Sequence, residues 1–328
     1  MKKKIMLVLL CITMVLSTGC TKYMKSDEKK AITNKETGQN LTANILCLPE
    51  DDELLKIYKE NEKSMTVKLN KLPACDDFKP NAIAYSSIWE TIFVKPLAFL
   101  ILLVGRIVKN YGLSVMILGL LIRIILIPIT KKTTMQSENM KKAQPKLKKL
   151  EEKYKDKNDQ QSMMMKSQEM MAIYKEYDIK PLAGCLTSLI QLPLFFAFLE
   201  AINRIPAVFE EKLFGLQLGT TPLKGIAVHN YLYIILIALI ILTTYFSFKM
   251  SMGNMEKTTS LTNTDNNQPT IDPMKQSQVM MKVMLIFISI ASLSLPAAIG
   301  LYWIVTNAFA VGQNIILKKR KNLYFKNL

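Results

Sequence analysis

The apolar run from Tyr111 to Thr130 limits the possible folds of this chain more than any other segment. It is long enough to cross a bilayer, because about 20 apolar residues in a helix span roughly 30 Å of hydrocarbon. Arg123 lies inside this run. A charged side chain near the hydrocarbon centre costs about 2.5 to 3.5 kcal/mol on insertion scales, so it usually faces water or a polar partner. We therefore interpret Arg123 as a functional residue.

Two other interpretations of Arg123 stay open at this level. Its guanidinium could snorkel to an interface, or it could pair with an acid inside the membrane. Snorkelling is hard from the middle of a span. The acid within the other long apolar runs is Glu200, which lies near the end of one of them. We expect Glu200 at the outer interface, too far from Arg123 to be its partner.

The composition also indicates a membrane protein. Hydrophobic residues make up 50% of the chain, and the formal net charge is +17 at pH 7. Long apolar runs of this kind exclude a purely soluble two-domain protein. Basic loops can bind nucleic acid, but here they flank apolar runs, which favours the positive-inside rule. We expect the lipid bilayer as a partner and no specific nucleic acid.

The first 20 residues have the pattern of a secretion signal. Three lysines precede the apolar stretch Ile5 to Val15, and Leu16-Ser17-Thr18-Gly19-Cys20 resembles a bacterial lipoprotein cleavage site. This pattern predicts a signal peptide over residues 1–19 and an acylated, for example palmitoylated, N-terminal Cys20. An ordinary signal peptide or an uncleaved anchor is the alternative.

Residues 20–87 are rich in Lys, Glu, Asn and Asp and contain few apolar clusters. Such a composition is typical of a loosely structured segment, and the signal places it outside the cytoplasm. Cys47 and Cys75 both lie in it. A disulfide between them is possible in that compartment, and two free thiols are equally consistent with the sequence.

The segment from Trp89 to Lys109 has an uninterrupted apolar core, Pro96 to Gly105, of about half the length that a span requires. Because basic residues bracket this core, we predict an amphipathic helix in the outer interface. Five spans are then expected, giving an all-α polytopic membrane protein. They are Tyr111–Thr130, Leu182–Ile202, Tyr231–Phe248, Val279–Leu295 and Ala297–Leu317.

The charge distribution predicts the orientation of these spans. The loop 131–180 is highly basic, and so is the tail 318–328, whereas the loop between the second and third spans has few basic residues. The positive-inside rule therefore places the N-terminus outside and the C-terminus in the cytoplasm. The membrane core of the protein is expected over residues 88–317.

The basic loop 131–180 has the apolar periodicity of two helices joined by a polar turn. We predict a cytoplasmic antiparallel helical hairpin. Its second arm carries the methionines Met163, Met164, Met170 and Met171. A solvated coiled coil and a flexible methionine surface that binds varied apolar segments are equally favoured interpretations.

Polar residues recur at helical spacing within two of the spans. Thr187, Ser188 and Gln191 share a face of the second span, and Trp303 and Asn307 share a face of the last. Small and polar residues are common contacts between membrane helices, which by itself favours packing. Together with Arg123 they indicate a hydrated intramembrane cavity, because the cation needs water or dipoles around it.

Several sequence blocks then resemble one known family in the right order. The blocks are Asn110–Leu113, Leu121–Ile124, Ala183–Leu186, Leu189–Ala197 and Leu295–Trp303, together with Asn307. On these blocks the chain resembles the YidC membrane-protein insertases of the Gram-positive lipoprotein type. The resemblance covers Trp89 to Leu317.

This resemblance implies a groove open to the cytoplasm and to lipid, with Arg123 as its fixed positive charge. Nascent membrane proteins would be the substrates, with the Sec translocon and the ribosome as further candidate partners. An acidic segment of a substrate would be attracted to Arg123. The apolar part would leave toward the bilayer between the second and last spans.

Two competing classes of protein were considered. An enzyme is not expected, because the single histidine, His229, has no partner motif for metal or nucleophilic chemistry. We expect neither a metal nor another cofactor, since no Gly-rich phosphate loop occurs in the sequence. A secondary transporter also uses a midplane arginine, but such transporters usually show internal repeats and broken helices, and we find neither in the sequence.

Overall fold

The computed structural model describes residues 21–83, 87–155, 157, 159–180, 183–252 and 273–326. For residues 133–134, 137, 183–192, 251–252, 273–281, 284 and 318–326 it describes the backbone only. The predicted signal peptide and Cys20 lie outside the described residues.

Most of the described chain is helical. The helices are α1 (Asp52–Glu60), α2 (Lys95–Val108), α3 (Tyr111–Ile125), α4 (Ile127–Lys153), α5 (Gln160–Glu176), α6 (Ala183–Asn203), α7 (Pro206–Glu210), α8 (Pro222–Ala227), α9 (Leu232–Met252), α10 (Pro273–Ser294) and α11 (Ala297–Lys326). A π-helical turn, Glu90–Val94, leads directly into α2. Two short strands, β1 (Lys212–Leu213) and β2 (Leu216–Gln217), pair antiparallel around Phe214 and Gly215, which both have positive φ angles as a tight hairpin turn requires.

Three helices of the described chain are long and apolar enough to cross a membrane: Glu90–Val108, Leu232–Met250 and Ala297–Leu317. The first of these helices has 19 residues, so the apolar helix is longer than the core Pro96 to Gly105 from which an interfacial helix was predicted. The π turn continues into α2, and both Glu90 and Lys95 are buried in ion pairs, so these charges do not end the apolar helix. Shorter apolar helices are Tyr111–Ile125, Pro193–Asn203 and Leu285–Ser294. The number of five spans stays a prediction.

The predicted first span is interrupted. Helix α3 begins at Tyr111, where the side chain of Asn110 accepts a hydrogen bond from the Leu113 amide, and it ends at Ile125. Leu126 separates it from α4, which has Pro128 in its first turn. Pro128 has no N–H to donate to the Ile124 carbonyl, and this favours a helix end at this position. The apolar part of this helix is therefore shorter than the sequence suggested.

The prediction of a loosely structured segment before the helices differs from the structure. Residues 21–83, here called the N-terminal unit, contain α1 and several one-turn helices around a hydrophobic cluster of their own. Met24 and Leu41 are almost completely buried in this cluster, with Tyr58 and Leu72 beside them. Cys47 and Cys75 form a disulfide. The polar composition hid this core because its few apolar residues are scattered along the sequence and meet only in three dimensions.

The helical bundle is tightly packed at one end, here called the packed end. Helix α3 and helix α11 both begin at this end, next to Leu218. Gly112 of α3 lies against the Leu218 side chain, and the Ala298 amide of α11 donates a hydrogen bond to the Leu218 carbonyl. Helix α9 begins there too, where the Tyr233 hydroxyl donates to the carbonyl of Gln217. Helix α6 ends there.

Burial along the helices decreases away from the packed end. The buried residues of α3 are Gly112, Ser114, Val115, Leu118 and Gly119. Beyond them the exposed fractions rise to 49% at Ile124 and 72% at Ile125. Helix α6 shows the same trend in its described second half, where the side chains nearest the packed end, from Ala197 to Ile202, are almost all fully buried. The end of the bundle at which α3 finishes is here called the open end.

Helices α4 and α5 occupy the segment that was predicted as a helical hairpin. Ala143 and Leu147 of α4 are buried against Tyr174 of α5 and Ile179. Ion pairs between the two helices, Lys146 with Glu176 and Lys153 with Glu169, have side chains about half exposed. Such surface pairs contribute little, so the apolar contacts account for most of the stability of this pair.

Glu210 at the end of α7 should make folding sensitive to pH. Burial raises the pKa of its carboxyl from 4.5 to about 7, while the amides of Glu50 and Asp51 partly oppose this shift. Because the folded-state pKa is the higher one, stability is lost as the pH rises from about 4.5 through about 7. We expect the midpoint of thermal unfolding in detergent to fall across this range.

Glu210→Gln, which keeps an acceptor oxygen for the Glu50 amide, should flatten this pH dependence and leave the protein more stable than the wild type above about pH 7. The exposed Glu36→Gln variant is the matched control, and its pH profile should follow that of the wild type. An unchanged slope in Glu210→Gln would contradict the assignment.

Candidate functional site

Arg123 lies in the last turn of α3. This helix ends at Ile125, whereas the apolar run predicted a continuous helix to Thr130. The carbonyl groups at a helix C-terminus carry partial negative charge and stabilise a nearby cation, typically by about 0.3 to 1 kcal/mol. The helix end therefore offsets part of the cost of placing an arginine among apolar residues.

Among the described side chains, none forms an ion pair or a hydrogen bond with Arg123. Glu200 is not its partner, as expected, because its carboxylate is bound by other side chains. It is 5% exposed and binds the Trp89 indole N–H at 3.0 Å and the Arg204 guanidinium at 3.2 Å. Glu200 therefore forms its contacts at the packed end of the bundle.

Close packing of α3 on α11 positions Arg123. A Cβ at Gly119 would meet the Tyr302 ring at 3.0 Å and the Thr306 methyl group at 3.3 Å, so the absence of a side chain lets the two helices approach. Arg123 lies four residues after Gly119, on the same face of α3 one turn toward the open end. Tyr302 is near enough to Arg123 for the two groups to interact electrostatically.

Aromatic rings fill the contact between α6 and α11. The ring of Phe195 stacks on Trp303 with centroids 5.4 Å apart and an interplanar angle of 2°. Phe198 stacks on Tyr302 at 4.3 Å. We predicted that Trp303 lines a polar cavity. In the structure its ring packs against the apolar ring of Phe195.

The polar residues of α11 make contacts with other helices. The Asn307 amide donates a hydrogen bond to the Thr244 hydroxyl of α9 at 2.8 Å, and Gln313 donates to Thr130 of α4 at 2.8 Å. The Thr306 hydroxyl donates back to the Tyr302 carbonyl. Part of the polar face predicted for the last span thus holds helices together, as such residues commonly do in membranes.

The other predicted cavity residues lie on α6. Thr187, Ser188 and Gln191 belong to its first half, and their side chains are outside the described residues. Their roles stay predictions.

The four methionines of the hairpin differ in exposure. Met164 is 58% exposed and Met171 is 50% exposed, whereas Met163 is half-buried and Met170 packs against the hairpin core. Met165 and Met135 are also exposed, at 49% and 57%. Met165 belongs to the run Met163–Met165 that was predicted as part of this methionine surface, and the structure adds Met135 of the other helix to the exposed apolar residues.

A buried charged network at the packed end was missed from the sequence. The guanidinium of Arg204 lies 3.0 Å from Glu90 and 3.2 Å from Glu200, and the Lys95 ammonium lies 3.5 Å from Glu90. None of these four side chains is more than 9% exposed. The spacing of four residues between Glu200 and Arg204 was the available signal, because such pairs face each other on a helix.

The described residues contain no group of three or more His, Cys, Asp or Glu side chains that could hold a metal ion. His229 lies in the turn between α8 and α9 with a φ angle of 61°.

Comparison with known proteins identifies the family. Residues 103–324 match the family model described as 60Kd inner membrane protein. Three of the similar curated proteins are a membrane protein insertase YidC from Oceanobacillus iheyensis, the insertase MisCA from Bacillus subtilis and a membrane protein insertase YidC 1 from Bacillus anthracis.

The first is 36% identical over 235 residues, which cover 71% of this chain and 84% of the relative. The second is 32% identical over 75% of this chain and 86% of the relative, and the third is 31% identical over 81% and 95%. These names describe insertases, in agreement with the expectation that the chain is not an enzyme. Together with three helices able to cross a membrane, they make it a multi-pass protein of the cell membrane. The chain belongs to the 60Kd inner membrane protein family, the family of the YidC membrane protein insertases.

Proposed function

We propose that this protein inserts newly made membrane proteins through a groove at the open end of the bundle, with Arg123 as its fixed positive charge. The observation that carries the proposal is the change in burial along α3. Its first residues are buried, and the turn with Arg123 is not. A bundle that is closed at one end and loosely packed at the other can admit a polar segment from one side.

The charge of Arg123 supports a role in binding acidic segments. No described side chain neutralises it through an ion pair, and the surrounding residues of its helix, Ile122 and Ile124, are apolar. Next to these apolar residues the effective dielectric constant is lower than in bulk water, so a carboxylate is attracted more strongly than in bulk water. A short acidic tail of a substrate would therefore be stabilised next to Arg123.

The apolar part of a substrate needs a different path. We propose that it passes along the contact between α6 and α11, where Phe195 stacks on Trp303. This contact rests on aromatic stacking, and each such pair contributes about 0.5 to 1.5 kcal/mol beyond the area that it buries. An entering apolar helix can replace these ring contacts with its own and then partition into lipid.

The orientation of the protein completes the proposal. With the packed end outside, the basic hairpin of α4 and α5 and the basic tail lie in the cytoplasm, which agrees with the positive-inside rule. Nascent membrane proteins then meet the open end and the hairpin as they emerge from the ribosome. The ribosome and the Sec translocon are proposed as partners on this basis, and the N-terminus is proposed to be outside and anchored by acylation at Cys20.

Arg123→Ala should impair insertion of a single-span reporter with an acidic outer tail. We expect insertion to fall by about tenfold, which corresponds to a loss of roughly 1.4 kcal/mol of favourable interaction. Arg123→Lys should partly restore it, since the proposal depends on the charge and not on the shape of the guanidinium. Protease accessibility of the reporter tail in cells depleted of the native insertase measures the effect.

Lys131→Ala removes an exposed cation near the start of α4 and is the matched control, with insertion expected at the wild-type level. Full insertion by Arg123→Ala at normal protein levels would contradict the charged groove. Substrate-dependent flux of a small solute into vesicles would instead support the secondary transporter.

The exposed methionines of the hairpin should contribute to substrate capture. Replacing Met164, Met165 and Met171 together by Gln keeps side-chain length and leaves the buried contacts of Ala143 and Tyr174 intact. We expect crosslinking of the hairpin to nascent chains to fall by about fivefold, because apolar contact area is lost. The exposed Gln161→Ala and Gln168→Ala changes on the same helix are the control, and equal crosslinking in both proteins would exclude this role.

A further inference from the structure

The disulfide of the N-terminal unit lies in the core of the helical bundle. Cys47 and Cys75 are both fully buried, and they belong to the cluster that contains Trp89, Val94 and Ala98. The unit's own hydrophobic cluster, around Met24 and Leu41, is separate. The bridge therefore stands where the unit meets the membrane helices.

The chain on the Cys47 side of the bridge is bound to the end of α6. The Leu46 amide donates a hydrogen bond to the Arg204 carbonyl at 2.9 Å, and the Arg204 side chain donates to the Asn44 carbonyl at 2.6 Å. The Thr42 hydroxyl donates to the Asn203 carbonyl at 2.8 Å. Arg204 also belongs to the buried charged network, so this attachment is held by ion pairs as well.

The chain on the Cys75 side is bound to the turn between α2 and α3. The Asp76 carbonyl accepts a hydrogen bond from the Arg106 guanidinium, and the Asp76 carboxylate accepts one from the Tyr111 hydroxyl at 3.1 Å. The ring of Tyr111 in turn packs on Gly105, where a Cβ would come within 2.1 Å of it. This side of the bridge thus holds the beginning of α3.

We propose that the N-terminal unit is a clamp that holds the ends of α3 and α6 together at the packed end of the bundle, with the Cys47–Cys75 bridge as its covalent link. The link runs from the end of α6 through Leu46 and Cys47 to Cys75 and Asp76, and so to the start of α3. Helices α3 and α6 carry Arg123 and Phe195, so the clamp sets how far the two walls of the proposed groove can separate at one end. Its role in insertion rests on the proposed function, but its geometry does not.

The clamp is tested by the accessibility of a cysteine at the packed end. Val115 of α3 is fully buried, and Val115→Cys is a change of similar size. In a Cys185→Ala background, the full chain in lipid nanodiscs is treated with a water-soluble maleimide, which reaches both faces. Labelling is measured on the peptide that contains position 115, because Cys11 and Cys20 remain in the chain. With the bridge intact, labelling at position 115 should be slow. With Cys47→Ala and Cys75→Ala added, it should be about tenfold faster, since the packed end then opens more often.

A milder variant keeps the test valid if the double alanine change prevents folding. Tyr111→Phe removes only the hydroxyl that binds Asp76 and keeps the ring on Gly105. Labelling at position 115 should then rise by about threefold, in the range expected for one hydrogen bond. Tyr231→Phe, at an exposed tyrosine beside α9, is the control and should leave the rate unchanged. Equal labelling rates with and without the bridge or the Tyr111 hydroxyl would overturn the clamp.

Reporter insertion by the same variants separates the clamp from the proposed function. Faster labelling together with reduced insertion supports both the clamp and its role. Faster labelling with full insertion in the clamp variants would overturn the role of the clamp in insertion. The groove would still be supported in that case if Arg123→Ala alone abolished insertion.

Discussion

The buried ion pairs of Arg204 determine where the helices of this protein meet. Arg204 binds Glu200 from its own helical turn and Glu90 from the turn before α2, and Lys95 binds Glu90 from the other side. Removing one partner would leave an uncompensated buried charge, which typically costs about 3 to 5 kcal/mol. Separating the end of α6 from the turn before α2 would therefore cost a large amount of free energy. The tight packing of α3, α6 and α11 lies at the same end of the bundle.

Two arginines of the helical bundle differ in their partners. Arg204 is 2% exposed, and its charge is neutralised by two carboxylates and a backbone carbonyl. Arg123 is partly exposed at the end of α3, where the helix carbonyls stabilise it and no described carboxylate pairs with it. A paired charge fixes structure, whereas a charge without a described acidic partner is available for a ligand. This contrast supports the proposal that the packed end stabilises the bundle and that the open end binds substrate.

Much of the helical arrangement was predictable, because apolar length and the positions of Asn and Pro are local properties. The segment expected at Leu182–Ile202 corresponds to α6 within one residue at each end, and the segment expected at Ala297–Leu317 is the apolar part of the longer helix α11. The break at Leu126 was missed, although Pro128 was visible, because the apolar run continues across it. The packed N-terminal unit was missed for a different reason. Its core joins residues as distant as Met24 and Leu72, and no periodicity connects them.

The sequence by itself determined that this chain is a helical membrane protein with one arginine inside an apolar segment, and its motifs indicated the insertase family. These properties follow from hydrophobicity, charge and spacing, which are sums over neighbouring residues. Only the tertiary structure decided that Glu90 pairs with Arg204 and that Asn307 binds Thr244. It also decided that Cys47 and Cys75 join within the bundle core. Such pairings depend on distances between residues far apart in the chain, and those distances exist only once the helices have packed.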